Sequence, residues 1–478
     1  MRCLIGLVVL LLVACTSEPT PKPPDVLLIV MDTVRADRLQ TYGAERPTSR
    51  QLQAIGQAGV VFTDVTADGT WTWPGHGSLF TGEPPWVHGA HWSVDPAKAG
   101  KVNPETGYWE VSPLRADLPT LAERFSEAGY TTVALSANSL LDPALGLTRG
   151  FERAEWLKRD STVVEAATAL IGEPRDKPLF LLVNLMAAHS PYTVAPEVPW
   201  SAAHRRMFIP DTTPRWMVPY KLQRRPPALA LTERAGPGKL SGEEAYSKGT
   251  LKLREEDLSF IRDLYDGELI RLDKALAMLV NAWTASGRTQ DIVAVTSDHG
   301  EYLGEHGQIG HGFTVFNEVT QIPMVIAAPG RIPADLKVAT PVQLSDLYGT
   351  LLDFSGVQPG AKGSLRGVIQ GEPRPGPIQA AAWPMADWAA HVGGRFKLGH
   401  RLYREGRYAL VTDTAGGAAL YDMHADPNML KDLSGEQGER LSTMKQAAAT
   451  AFPEATSQGR VQVPDEALRQ LKALGYVE

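Results

Sequence analysis

Three apolar runs in this chain end in an acid or an imidazole, and that pattern constrains the fold more than any other feature. Val26-Leu27-Leu28-Ile29-Val30-Met31 ends in Asp32, and Ile292-Val293-Ala294-Val295-Thr296-Ser297 ends in Asp298-His299. The run from Phe180 to Ala188 ends in His189, and His311 lies in the small-residue turn Gly310-His311-Gly312. Short apolar stretches without alternation mark strands covered on both faces. An open α/β sheet binds its ligands beyond the carboxyl ends of such strands. The polar ends are therefore expected to meet at one edge of the sheet, as a metal-dependent site requires.

The spacing of elements predicts an α/β chain with a largely parallel central sheet sandwiched by helices, followed by a smaller C-terminal α+β subdomain. Strands are expected at 26–31, from Val60 to Val65, from Thr131 to Ser136, at 179–186 and at 292–297. Helices are expected from a Pro47-Thr48-Ser49 cap to about Ala58, from Leu118-Pro119-Thr120 to Ala128, near 160–172, and from Glu255 to Ala285. Residues 25–355 form the expected catalytic unit. Within it, 191–250 is rich in Pro, Arg and Trp and reads as an insertion over the active edge. Residues 356–478 form the C-terminal subdomain, with strands at Tyr408 to Asp413 and Ala418 to Asp422 and a closing helix from Asp465 to Leu474.

The N-terminus reads as an address. Residues 1–14 place Arg2 before an apolar core, Leu4 to Val13, that is too short to span a bilayer. Leu12-Val13-Ala14-Cys15 resembles the bacterial lipoprotein processing box, so Cys15 is the expected lipid attachment point and the bilayer an expected partner. Residues 15–24 are the Pro-rich tether. Thr16 stands where an inner-membrane retention aspartate would, which favours the outer membrane or periplasm. The only two cysteines are Cys3 and Cys15, which leaves the mature chain no internal disulfide, thiolate zinc site or cysteine nucleophile. A net charge of −7 without a basic cluster excludes a nucleic-acid binder.

Six segments, in order, resemble the sulfatase family of the alkaline phosphatase superfamily. They are Val26 to Asp37; Thr72-Trp73-Pro74-Gly75-His76-Gly77-Ser78-Leu79-Phe80-Thr81-Gly82; Ala188-His189-Ser190-Pro191-Tyr192; Thr296-Ser297-Asp298-His299-Gly300-Glu301; Gly310-His311-Gly312 through Ile322-Pro323; and Ala419-Leu420-Tyr421-Asp422 with Ala425-Asp426-Pro427. The resemblance implies one divalent cation held by Asp32, Asp298 and His299, with Thr72 beside it. An imidazole at His299, where calcium-using relatives carry Asn, moves the preference from Ca toward Mn or Zn. Thr33 stands where many relatives have a second acid.

Position 72 is the main departure. Sulfatases carry a cysteine or serine there that is oxidised to formylglycine, and no formylglycine is expected from Thr72. Threonine is instead the nucleophile of phosphorus-handling members of the superfamily. His76 replaces the family's arginine and His311 a lysine of many relatives, which makes the pocket less positive at neutral pH. His189 is the expected general acid or hydrogen-bond donor to the leaving oxygen. His88, in Val87-His88-Gly89, reads as structural, and Asp273 as a cap or pairing group. Trp71, Trp73 and Trp92 are candidates for the cleft wall or for packing.

The resemblance thus implies a hydrolase cleaving a sulfate or phosphate ester of a small molecule or glycan outside the cytoplasm. A phosphodiesterase or phospho-group transferase acting on envelope glycan or lipid, and a catalytically silent glycan-binding member, remain as alternatives. Oligomeric state is not legible in the sequence.

Overall fold

The computed structural model describes residues 23–93, 108–190, 192, 242–288, 290–384, 393–453 and 459–474. The targeting segment 1–22 and most of the 191–250 insertion lie outside the described residues.

The central sheet has eight strands. In chain order they are β1 (Val26–Met31), β2 (Val60–Phe62), β3 (Thr131–Ser136), β4 (Arg153–Trp156), β5 (Leu179–Leu185), β6 (Ile292–Thr296), β7 (Met324–Ala327) and β8 (Leu336–Val338). Their spatial order is β8-β2-β7-β6-β1-β5-β3-β4. Only β7 runs against its neighbours β2 and β6. The segment expected as one strand to Val65 breaks after Phe62, and Val65–Thr66 pairs instead with Val342–Gln343.

β1 is buried at every position. Val26, Leu28 and Val30 face one hydrophobic cluster, and Leu27, Ile29 and Met31 face another. Double-sided burial is why its sequence shows no alternation. One side is covered by α1 (Arg50–Gln57), α4 (Asp160–Gly172) and α5 (Glu255–Ala285), the other by α2 (Thr72–Thr81), α3 (Leu121–Glu127) and α6 (Asp346–Ser355). Register sets the function of this arrangement. Val30 lies opposite Thr296 and Met31 opposite Leu185, so β1, β5 and β6 run out at one level. Asp32, Asp298 and the 186–189 turn therefore share an edge.

The C-terminal subdomain is a four-stranded antiparallel sheet, β9 (Ile378–Ala382), β10 (His400–Glu405), β11 (Tyr408–Asp413) and β12 (Ala418–Asp422), in sequential order. α7 (Gly438–Ala451) packs on it through Met444 and Ala448. The chain then returns: α8 (Asp465–Leu474) buries Ala467 and Leu471 in the main core.

Two local details correct or complete the sequence reading. Ser49 precedes α1 but its side chain makes no cap; Asp273 of α5 accepts the Gln51 and Leu52 N–H groups at 2.9 and 3.1 Å. Trp71, Trp73 and Trp92 do not line a cleft. They are at most 1% exposed and pack with Trp109, Trp71 stacking on Trp92 at 4.0 Å. The stack wedges the start of α2 in place from behind.

His88 supports the same helix. Its Nδ1 accepts the Ala90 N–H at 3.0 Å and its Nε2 faces Ser78 Oγ at 3.0 Å, a neutral-ring arrangement. Burial pushes its pKa from 6.5 down to about 3. The unfolded chain takes up a proton below about pH 6.5 that folded His88 refuses until about pH 3. Stability conferred by the neutral ring is thus present above 6.5 and is lost as pH falls toward 3; His88→Gln is expected to show a shallower acid decline in thermal midpoint. Replacing Asp273 by Ala, which strips the α1 cap, is expected to cost about 1–2 kcal/mol in denaturant unfolding.

Candidate active site

α2 delivers Thr72 to the active edge. Trp71 precedes it in extended conformation, and Pro74 occupies the first turn, where its missing N–H is no loss. Thr72 is the first helical residue, and its hydroxyl caps nothing on its own helix. All ten residues of the helix are buried. Gly75 permits the close approach: a Cβ there would lie 2.7 Å from the Asp298 carbonyl oxygen.

Asp32, Asp298 and His299 come together with no exposure to solvent. One ligand atom from each lies within 4.8 Å of the others. His299 Nε2 is 3.7 Å from Asp32 Oδ1 and 3.5 Å from Asp298 Oδ2. None of these three buried atoms makes a hydrogen bond of good geometry among the described residues, although His76 Nδ1 approaches Asp298 Oδ2 to 3.3 Å. His299 Nδ1 faces the Gly300 carbonyl at 2.9 Å, so its proton sits there and Nε2 carries the lone pair. Two carboxylate oxygens and one imidazole lone pair, buried and in no hydrogen bond of good geometry, fit a divalent cation.

The electrostatics agree. Burial and the Asp298 charge push the Asp32 carboxyl well above its usual range. For Asp298 burial acts upward too, but His299 and His76 outweigh it and hold the group low. Burial also lowers His299 to about 4. The backbone is drawn tight around the acids. Thr33 sits at φ 60°, a left-handed conformation uncommon for threonine, and its N–H points to Asp298 Oδ1 at 3.3 Å. Tyr265 from α5 holds the Thr33 carbonyl at 2.8 Å.

A layer of amides lies behind the acids, and the sequence reading did not single it out. Asn138, just past the end of β3, donates from Nδ2 to Asp32 Oδ2 at 2.6 Å and to Thr72 Oγ at 3.1 Å. Asn184, in β5, accepts the Ser136 hydroxyl at 3.1 Å, and its amide nitrogen faces His76 Nε2 at 3.3 Å. Asn184 also hydrogen-bonds the Asp32 carboxylate, which fixes its nitrogen on that side. His76 Nε2 must then accept, and the ring proton sits on Nδ1, 3.1 Å from the Thr72 carbonyl. His76 thus braces α2 against Asp298.

The remaining two histidines form the rim. His189 is 7% exposed and its ring lies 5.0 Å from that of His311, which in turn lies 4.4 Å from His299. His189 Nδ1 points to the Ser190 carbonyl at 2.6 Å, and His311 Nδ1 to Glu301 Oε1 at 3.1 Å. Burial lowers both to about 4. Each neutral ring keeps its proton on Nδ1 and presents a lone pair at Nε2. Burial raises Glu301 to about 7, against the pull of His189. Arg35 is the buried guanidinium of this region, and it is committed to Asp37 at 2.8 Å and Glu305 at 3.0 Å.

Because Gly75 leaves no room for a methyl group, Gly75→Ala is expected to push the Asp298 turn away from α2. Overpacking of this kind costs about 1–3 kcal/mol. Isothermal titration with Mn or Zn is expected to show weaker binding by Gly75→Ala than by wild type, with the fold retained by circular dichroism.

Comparison with known proteins agrees with this geometry. The Sulfatase family model matches residues 24–357. The chain is 22% identical over 449 residues to a Delta 4,5-hexuronate-2-O-sulfatase of Bacteroides thetaiotaomicron, covering 86% of this chain and 84% of that protein. It is 26% identical over 318 residues to arylsulfatase K of Xenopus laevis, a match that spans 63% of this chain and 57% of that protein. Among solved structures, the phosphonate monoester hydrolase of Agrobacterium radiobacter aligns with a TM-score of 0.64 at 20% identity, covering 92% of this chain and all of that one. The family match takes in β1 with Asp32, α2 with Thr72, and β6 with Asp298-His299, and the chain belongs to the sulfatase family of ester hydrolases.

Proposed function

We propose that this chain is a metal-dependent hydrolase with Thr72 as nucleophile, acting on a singly charged ester of phosphorus in preference to a sulfate ester. The observation that carries the reading is the convergence of three buried ligand atoms, none in a hydrogen bond of good geometry, beside a threonine hydroxyl at a helix start. Asp32, Asp298 and His299 would hold the cation. A divalent cation there supplies positive charge that stabilises the ester's non-bridging oxygens and favours ionisation of a neighbouring hydroxyl.

The chain's own residues account for the rest. Thr72 Oγ forms a bond to phosphorus while the bond to the leaving oxygen breaks. The hydroxyl proton passes to a rim imidazole, His189 or His311, which returns it to the leaving oxygen. Water then attacks the threonine ester at phosphorus and restores the hydroxyl. The free N–H groups at the start of α2 face the reacting anion. Neutral imidazoles at His189 and His311 and amides at Asn138 and Asn184 suit one negative charge better than two.

The preference for phosphorus rests on chemistry. A threonine sulfate lacks the elimination exit that formylglycine gives, whereas a phosphothreonine opens by in-line water attack. The fold shared with a phosphonate monoester hydrolase supports this, and the sulfatase names of the sequence relatives support the sulfate reading. Sulfated or phosphorylated glycans and small molecules are the proposed substrate class.

The N-terminal reading makes the enzyme an extracytoplasmic lipoprotein held through Cys15. β1 starts at Val26 next to the tether and ends at Met31, just before Asp32, so its six residues put roughly 20 Å between its start and the site.

A panel of aryl sulfate, aryl phosphate monoester, diester and phosphonate monoester tests the proposal. Diester or phosphonate turnover is expected, abolished by chelation and reduced on the order of 10³-fold or more in Thr72→Ala. Turnover of sulfate alone with Thr72→Ala unaffected contradicts it. His189→Ala is expected to slow esters with poor leaving groups by about 10²–10⁴-fold and activated aryl esters much less.

A further inference from the structure

We propose that Asn138 is the positioning residue for the nucleophile: its single amide nitrogen holds Thr72 Oγ beside Asp32. This inference rests on the reading of Thr72 given above. Asn138 is wholly buried, and its side chain is fixed at both ends. Its Oδ1 accepts the Leu140 N–H at 2.8 Å, which leaves no ambiguity over which side of the amide is nitrogen. That nitrogen has two N–H groups; Asp32 Oδ2 lies 2.6 Å away and Thr72 Oγ 3.1 Å away. Its backbone N–H binds Ser136 Oγ at 2.9 Å, and Ser136 also holds Asn184 at 3.1 Å. The end of β3 is therefore wired to Asp32, to Thr72 and, through Asn184, to His76.

This geometry dictates the direction of the hydroxyl. With an N–H entering Thr72 Oγ from Asn138, the hydroxyl proton points away from Asn138, and the threonine rotamer is held against rotation. As negative charge grows on Oγ during attack, the Asn138 bond becomes charge-assisted and strengthens. An interaction that strengthens toward the transition state raises kcat and leaves KM nearly untouched. No cation is needed at this position, so the pocket orients its nucleophile without adding positive charge.

The competing role is purely local: Asn138 caps the short turn Ser139–Leu141 through Leu140. Asp or Ser at 138 keeps an acceptor for the Leu140 N–H, and neither supplies the paired N–H groups. Asn138→Asp and Asn138→Ser are therefore compared with wild type and Thr72→Ala, using bis(4-nitrophenyl) phosphate and an aryl phosphonate monoester at saturating Mn or Zn. Thermal melting and bound-metal stoichiometry are measured alongside kcat and KM; if one variant fails to fold, the other carries the test.

The expected result is a folded, metal-loaded variant with kcat lowered about 10²-fold and KM within about threefold of wild type. A kcat close to wild type overturns the proposal, as does a kcat loss matched by an equal loss of bound metal, since Asn138 would then only steady Asp32. A Thr72→Ala enzyme that stays active, or a wild type that turns over neither ester, refutes the nucleophile reading instead. An inactive Thr72→Ala with fully active Asn138 variants refutes the positioning role alone.

Discussion

Two carboxylates and an imidazole buried against one another are unfavourable unless positive charge compensates them, and the rest of the active edge depends on that constraint. Burial drives Asp32 toward its protonated form, while His299, His76 and the Thr33 N–H hold Asp298 low. Such a cluster persists when the surrounding structure holds it rigidly and a cation completes it. The hold is visible on every side. Parallel register brings β1 and β6 to one level, Tyr265 pins the strained Thr33, and the Gly75 face of α2 closes against the Asp298 carbonyl.

The hydrogen bonds around this cluster fix protons as well as positions. Carbonyls of Ser190 and Gly300 and the Glu301 carboxylate each face an Nδ1 atom, so His189, His299 and His311 present Nε2 inward or toward the rim. His76 also turns its Nδ1 to a carbonyl, that of Thr72, but its Nε2 is taken up by the Asn184 amide. Four histidines that look alike in sequence thus divide into one facing the two acids, a brace and two rim groups. What separates them is the partner of one ring nitrogen.

Much of this was legible before the structure. Unalternating strands ending in Asp32 and Asp298-His299 announced a buried parallel sheet and its active edge, because strand burial and strand direction both leave marks on sequence. The elements at Thr131–Ser136, Asp160–Gly172, Glu255–Ala285 and Asp465–Leu474 lie where their periodicity put them. Asn138 and Asn184 escaped notice, although each carried a signal. Asn138 follows the end of β3, by the same rule that located Asp32, and Asn184 is the lone amide in the apolar run of β5. A single polar residue in a run reads as noise until its neighbours across the sheet are known. The Asp273 cap was harder still: donor and acceptor lie 222 residues apart, and only tertiary packing joins them. The tryptophans stayed open between cleft and core, since a ring near such a turn looks the same in sequence whether it walls a cleft or fills a core, and the structure shows packing.

The central claim is that one cation occupies the space between Asp32, Asp298 and His299 with the Thr72 hydroxyl at its side. Anomalous diffraction from crystals of the Mn- or Zn-loaded protein, collected across the metal edge, tests this most directly. The account predicts one strong peak at coordination distance, about 2.0–2.3 Å, from an oxygen of each aspartate and from His299 Nε2. A peak elsewhere, or none at this position in metal-saturated protein, would contradict it.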